Sequence, residues 1–161
     1  AEDSGFETRK FDLVTVGQAL HWFDFQQFYN EVRRVTANQA LFAAFGYGML
    51  RINDDLNEIT DALYEEAFGE YFSKNRSYID NEYKDIPFPF ESIPTPSFEQ
   101  NYRWSLEQLE GYFNSWSAVQ KIKDDHGYNP VDSTMEKLKA NHSTENKIDV
   151  TFPIFLRLGR V

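Results

Sequence analysis

The spacing of apolar residues changes several times along the chain, and each change predicts an element. Leu13-Val14-Thr15-Val16, following Phe11-Asp12, is a mostly apolar, β-branched run, the pattern of a strand buried on both faces. It stops at Gly17. Phe25, Phe28, Tyr29, Val32 and Val35 then recur at helical intervals behind Asp24, a good N-cap, which predicts a helix to about Thr36 with Glu31, Arg33 and Arg34 facing water. Ala37-Asn38 reads as the turn, and Gln39 to Gly48 as a second apolar strand ending in glycines. A strand, helix and strand of these lengths predict a crossover unit, with Gln39 to Phe45 parallel to Phe11 to Val16.

Farther along, Leu56, Ile59, Leu63, Ala67, Phe68 and Phe72 form one stripe of an amphipathic helix from Asp54 to about Lys74. Tyr78 to Pro96 contains four prolines among aromatics and acids and reads as an irregular connection of the sort that covers a site. Phe98 to Trp104 alternates as a strand. Ser105-Leu106-Glu107-Gln108 is a capping-box signature opening a helix with Leu106, Leu109, Phe113, Trp116 and Val119 inward. Asn129-Pro130 starts a further helix through Met135 and Leu138. Ile148 to Phe152 and Phe155 to Leu158 alternate as strand, with Pro153 interrupting them. The pattern is that of an α/β protein: one domain over residues 1–161, with 49–96 as a helical and irregular insertion covering the site.

Composition narrows the partners. A net charge of −10 and a pI near 4.7 argue against nucleic acid and anionic membrane surfaces, which call for a basic face, and favour a small-molecule ligand. The absence of cysteine removes thiolate nucleophiles and thiolate metal sites. No run approaches the roughly 18 apolar residues of a membrane span, and Ala1-Glu2-Asp3-Ser4 has neither a basic segment nor an apolar signal core, so a cytoplasmic location is expected.

Several segments, in order and spacing, resemble the C-terminal part of a class I S-adenosylmethionine-dependent methyltransferase, in the branch that includes the trans-aconitate methyltransferases. They are Ala1-Glu2, Phe11-Asp12-Leu13-Val14, Gln18-Ala19-Leu20-His21-Trp22-Phe23-Asp24, Phe45-Gly46-Tyr47-Gly48, Ser115-Trp116-Ser117-Ala118 and the tail Ile148 to Val161. The resemblance implies a Rossmann-like seven-stranded sheet in which Leu13 to Val16 is the fourth strand, Ala40 to Phe45 the fifth, Phe98 to Trp104 the sixth and the tail an antiparallel seventh. The family's glycine-rich cofactor loop and its ribose-binding acid have no counterpart in these residues and would precede Ala1. The expected partner is therefore the missing N-terminal half, or a second copy of the chain, and residues 1–161 alone are expected to bind the cofactor weakly or not at all.

Carried over residue by residue, Ala1 and Glu2 would lie near the cofactor's adenine, and Gly17, Gln18 and Ala19 at its amino-acid end, where open α/β sheets bind ligands. Gly17 suits a close ligand approach, although a plain strand-end turn explains it as well. His21 is the candidate catalytic residue, able to orient or deprotonate a substrate oxygen. Positioning is favoured over general-base work, because a carboxylate nucleophile needs no base at neutral pH. Trp22 is either core or part of the cofactor and substrate walls. Tyr47, Trp116 and Ser117 complete the substrate candidates, with core packing the alternative for Trp116. Asp124-Asp125-His126 suggests a metal, but adjacent helical acids do not converge on one centre, and helix termination before a Gly127 cap explains the run. The function implied is methyl transfer from S-adenosylmethionine to a small molecule, a carboxylic acid by family similarity. The rival is a non-catalytic small-ligand-binding or assembly domain.

Overall fold

The computed structural model describes residues 1–69, 75–143 and 146–161. In chain order the elements are β1 (Phe11–Gly17), a 3-10 turn (Leu20–Trp22), α1 (Phe25–Val35), β2 (Thr36–Tyr47), α2 (Asp54–Gly69), α3 (Arg76–Asp80), β3 (Glu91–Ile93), β4 (Phe98–Trp104), α4 (Leu106–Asn114), α5 (Ser117–His126), α6 (Pro130–Asn141) and β5 (Ile148–Arg160). Phe72 and Lys74, expected at the end of the second helix, lie outside the described residues. The chain divides into two compact units, the first comprising Ala1–Met49, Ser73–Glu99 and Pro153–Val161, the second Leu50–Phe72 and Gln100–Phe152. Among the described residues no helix is long and apolar enough to cross a membrane.

In the first unit the strand order is β1-β2-β5-β3. β1 and β2 are parallel, from Leu13↔Leu41 to Gly17↔Phe45, as the crossover pattern predicts. The C-terminal part of β5 runs antiparallel to β2, from Leu41↔Arg160 to Tyr47↔Ile154, and β3 antiparallel to β5. Asp24 caps α1 by accepting from Gln27 N at 2.9 Å. The helix buries Phe28, Tyr29, Val32 and Val35.

Five details depart from the sequence pattern. Leu13 to Val16 is not buried on both faces: Leu13 is 51% exposed and only Val16 is buried, because β1 is an edge strand of the described sheet with one neighbour. Ala37-Asn38 is no turn, since α1 passes into β2 at Thr36. The register steps from Phe11↔Thr36 to Leu13↔Leu41, and Gln39 takes a left-handed φ of 65°, so a bulge absorbs the extra residues. Pro153 does not break β5. It lies one residue beyond the last β2 pair, and its carbonyl accepts from Gly48 N at 2.9 Å, so its missing N–H is not needed. Trp116 does not continue α4; Ser115 Oγ donates to the Tyr112 carbonyl at 2.6 Å, a local bond that competes with the helix, and Trp116 becomes the extended N-cap of α5.

The fifth departure is Glu31, which is buried on α1 instead of facing water. It pairs with Arg34 at 2.7 Å and accepts from the Ser4 amide at 2.9 Å and the Ser4 hydroxyl. Arg34 first, then Ser4, hold its carboxyl well below the usual carboxylate range. A depressed folded-state pKa means that the stabilisation is present at neutral pH and fades as pH falls below about 4.3, the ordinary glutamate value. Glu31→Gln should therefore lower the melting temperature at pH 7 and differ less from wild type in acid. A gap of equal size at both pH values would overturn this account.

The proline-rich segment is more than a cover, because Ile79, Tyr83, Ile86 and Phe90 join Phe28, Tyr29 and Phe42 in the core of the first unit. Its carbonyls are taken up by side chains: Arg157 Nη1 donates to Ile86 O at 2.6 Å and to Tyr83 O, Tyr29 OH to Pro87 O at 2.8 Å, and Arg33 Nη2 to Pro89 O at 3.1 Å. Backbone acceptors that cannot join a ladder are satisfied this way. Of the described residues in the expected insertion over 49–96, 50–69 fall in the second unit, and Met49 and 75–96 in the first.

In the second unit, α2 packs on α5 and α6, and α4 on both as well. Ser105 and Gln108 form the expected capping box, Asn129 caps α6, and Gly127 ends α5 at φ 74°. β4 pairs with β5.

Candidate functional site

The carboxyl ends of β1 and β2 are tied together by one side chain. After Gly17 the chain enters a left-handed residue, Gln18 (φ 49°), whose amide N–H donates to Phe45 O at 2.8 Å. The Gln18 side chain then grips the backbone of Tyr47: Oε1 accepts from Tyr47 N at 2.9 Å, and Nε2 donates to Tyr47 O at 3.3 Å. Both polar ends of the Gln18 amide are thus engaged by the protein. The space for a side chain here is limited by the protein itself, slightly at Gly17 and severely at Gly46. A Cβ on Gly17 would lie 3.2 Å from the Phe45 ring, and one on Gly46 would collide with Gln18 Oε1 and the Phe155 ring.

Ala19 opens the next turn, its carbonyl accepting from Trp22 N at 3.1 Å. The turn buries Leu20 and His21 and leaves Trp22 63% exposed. His21 Nδ1 lies 2.9 Å from the Tyr83 hydroxyl, and its ring meets Trp22 at a centroid distance of 4.8 Å. Burial, and secondarily the positive charge of Arg76, push the His21 pKa below its usual value, so the imidazole is neutral at pH 7. Burial drives the Tyr83 phenol up to about 12, against a smaller opposite pull from the Leu20 and His21 backbone amides.

Glu2 reaches the same region, its Oε1 accepting from Asp24 N at 3.0 Å beside the start of α1. Ala1 lines an apolar hollow of about 260 Å³ with Phe6, Leu13, Val14 and Phe28. Tyr47 is 43% exposed while its backbone is fixed by Gln18. The structure therefore gathers Gly17, Gln18 and Tyr47 at the two strand ends, with Ala19, His21 and Trp22 in the turn that follows. Trp116 and Ser117 belong to the second unit. There Trp116 packs among Phe113, Phe68, Tyr112 and Tyr64, at centroid distances of 5.1 to 6.0 Å, while Ser117 is exposed at the start of α5.

The sequence reading omitted Tyr83, the partner of His21, because its proline-rich segment reads as an irregular connection. The only signal was the recurrence of Ile79, Tyr83, Ile86 and Phe90 there. Gly46 was noted as a strand end, but a glycine pressed against a side chain from another strand has no local signature.

Comparison with known proteins bears on this geometry. A family model described as a methyltransferase domain matches residues 1–44, the stretch holding β1, the turn, α1 and most of β2. A protein of Dictyostelium discoideum assigned as a methyltransferase is 30% identical over 167 aligned positions, covering 99% of this chain and 64% of the relative. The solved structure of a protein from Anaeromyxobacter dehalogenans, assigned as a type II methyltransferase, is 33% identical with a TM-score of 0.89, over 99% of this chain and 68% of that one. The chain thus spans about two thirds of the length of these relatives. With identity and superposition both holding along its whole length, the chain belongs to the class I S-adenosylmethionine-dependent methyltransferases.

Proposed function

We propose that the intact protein transfers a methyl group from S-adenosylmethionine to a carboxylate oxygen of a small acid, as in the trans-aconitate branch. On this reading residues 1–161 form part of one methyltransferase domain, with β1, β2, β4 and β5 as strands four to seven of its sheet and 49–96 as an insertion. The observation that carries the reading is the end of β1, where a buried, neutral His21 and an exposed Trp22 follow a strand end latched by Gln18.

The residues at hand fit the cofactor's chemistry in two respects. The exposed Trp22 ring offers a π-face of the kind that attracts a cation such as a sulfonium. The exposed side chain of Tyr47 stands on a backbone held rigid by Gln18, and rigid placement is what positioning requires. S-adenosylmethionine supplies a methyl group activated by the positive sulfur. A carboxylate is ionised at neutral pH, so its oxygen forms the new C–O bond as the C–S bond breaks, and no proton has to be removed. His21 then has to bind and orient an oxygen, and Trp22 and Tyr47 to wall the site. The test is to supply the intact protein with methyl-labelled S-adenosylmethionine and panels of small carboxylic acids, alcohols and amines. Labelled methyl esters from the acids are expected; label only in ethers or methylamines would overturn the reading.

A further inference from the structure

Tyr83 is fully buried, and His21 beside it is 5% exposed. The described hydrogen bond of the Tyr83 hydroxyl is to His21 Nδ1, at 2.9 Å. A phenol has one hydrogen to donate, and a buried O–H is expected to find an acceptor. Were Nδ1 to carry the ring proton, it would occupy the phenol oxygen as a donor and leave the phenol hydrogen with no acceptor. The phenol therefore donates, Nδ1 accepts, and the single proton of the neutral imidazole resides on Nε2. The backbone amides of Leu20 and His21 act on the phenol oxygen as donors and so do not compete for its hydrogen.

Nε2 makes no hydrogen bond with a described residue, and among the described residues no buried side-chain nitrogen or oxygen lacks a partner. Nε2 therefore keeps some exposure to solvent. The phenol is held from several sides. Tyr83 N donates to Tyr78 O at 2.6 Å, Arg157 Nη1 holds the Tyr83 carbonyl, and Phe155 meets the Tyr83 ring edge-on at 4.9 Å. The two residues Glu82 and Tyr83 both take left-handed φ angles, 54° and 61°. Such backbone is retained where the surroundings over-determine it, as they do at sites whose geometry matters.

We propose that Tyr83 is a positioning residue whose hydroxyl locks His21 as the Nε2–H tautomer, so that His21 presents an N–H donor, and no basic lone pair, to an anionic oxygen of the methyl acceptor. The consequence is selective. An alcohol or protonated amine needs a base and finds none at Nε2, whereas an already ionised nucleophile needs only to be held. The nature of the acceptor rests on the carboxylic-acid reading above; the tautomer does not.

The experiment is long-range proton–nitrogen correlation NMR on the intact protein labelled at histidine nitrogens, with His21 assigned by the signals lost in His21→Gln. At pH 7 Nε2 is expected to be protonated and Nδ1 unprotonated. Tyr83→Phe is expected to populate both tautomers and to raise the KM for the acid about tenfold with kcat within about twofold. A proton on Nδ1 in the wild type, or an unchanged tautomer in folded Tyr83→Phe, overturns the proposal. Should that variant not fold, the wild-type spectrum alone decides. The expected tautomer in a protein that methylates no carboxylic acid would uphold the lock and overturn only the substrate reading.

Discussion

Phe42→Ala is expected to destabilise the protein by about 4 kcal/mol, within the usual range for truncating a buried phenylalanine. Phe42 is fully buried at the centre of β2, and its ring meets Phe28, Tyr29, Phe88 and Phe90 at centroid distances of 5.1 to 6.0 Å. These neighbours come from α1 and from the proline-rich segment, two parts of the chain whose backbones hold little direct hydrogen bonding to β2. The segment is anchored to α1 by Tyr29 and Arg33 through single bonds to Pro87 O and Pro89 O, so it cannot collapse into the void without breaking them. Urea titration checks this: the midpoint should fall with little change in slope. Leu13→Ala on the exposed edge strand serves as the contrast and should cost little. Comparable losses from both would mean that the aromatic cluster is not the core of this unit.

Gly46→Ala is expected to have the second largest effect and to act on the site as well as on stability. Gly46 pairs with Phe155 across β2 and β5 and has no positive φ, so backbone strain plays no part. The added methyl would meet Gln18 Oε1 and the Phe155 ring, the latter with one carbon at 2.9 Å. Overpacking of this kind costs about 1–3 kcal/mol. Relief can come only by withdrawing Gln18 from Tyr47 or by tilting Phe155, which packs on Tyr83. Either movement loosens the turn that carries His21. Affinity of the intact protein for S-adenosylmethionine should fall together with stability. A double-mutant cycle with Gln18→Ala separates the causes: if the Gln18 collision matters, the combined loss is smaller than the sum by at least about 0.5 kcal/mol. Strict additivity would place the whole effect on Phe155.

Both expectations concern contacts between residues far apart in sequence, and this is where the reading of the chain divides. The periodicities of α1, α2 and α6, the caps at Asp24, Ser105 and Asn129, and the parallel pairing of β1 with β2 were legible in the sequence, because each depends on groups within a few residues or on the length of one crossover. The run Gln18 to Asp24 also marked the turn that carries the candidate site. What the sequence could not disclose was set by partners from elsewhere. Glu31 has the spacing of a solvent-facing residue, yet it is buried because Ser4 and Arg34 supply donors to its carboxylate. The bonds of the Gln18 side-chain amide to the Tyr47 backbone have no local signature in sequence. Pro153 reads as a strand breaker until β2 is seen to end one residue before it. Tyr83 lies in a segment that reads as an irregular connection, and its pairing with His21 is supported by the last strand, where Arg157 holds the Tyr83 carbonyl and Phe155 packs on its ring. Local order follows from the chain's own dihedral and hydrophobic preferences, whereas the protonation and aim of His21 depend on which buried groups the tertiary structure leaves for one another.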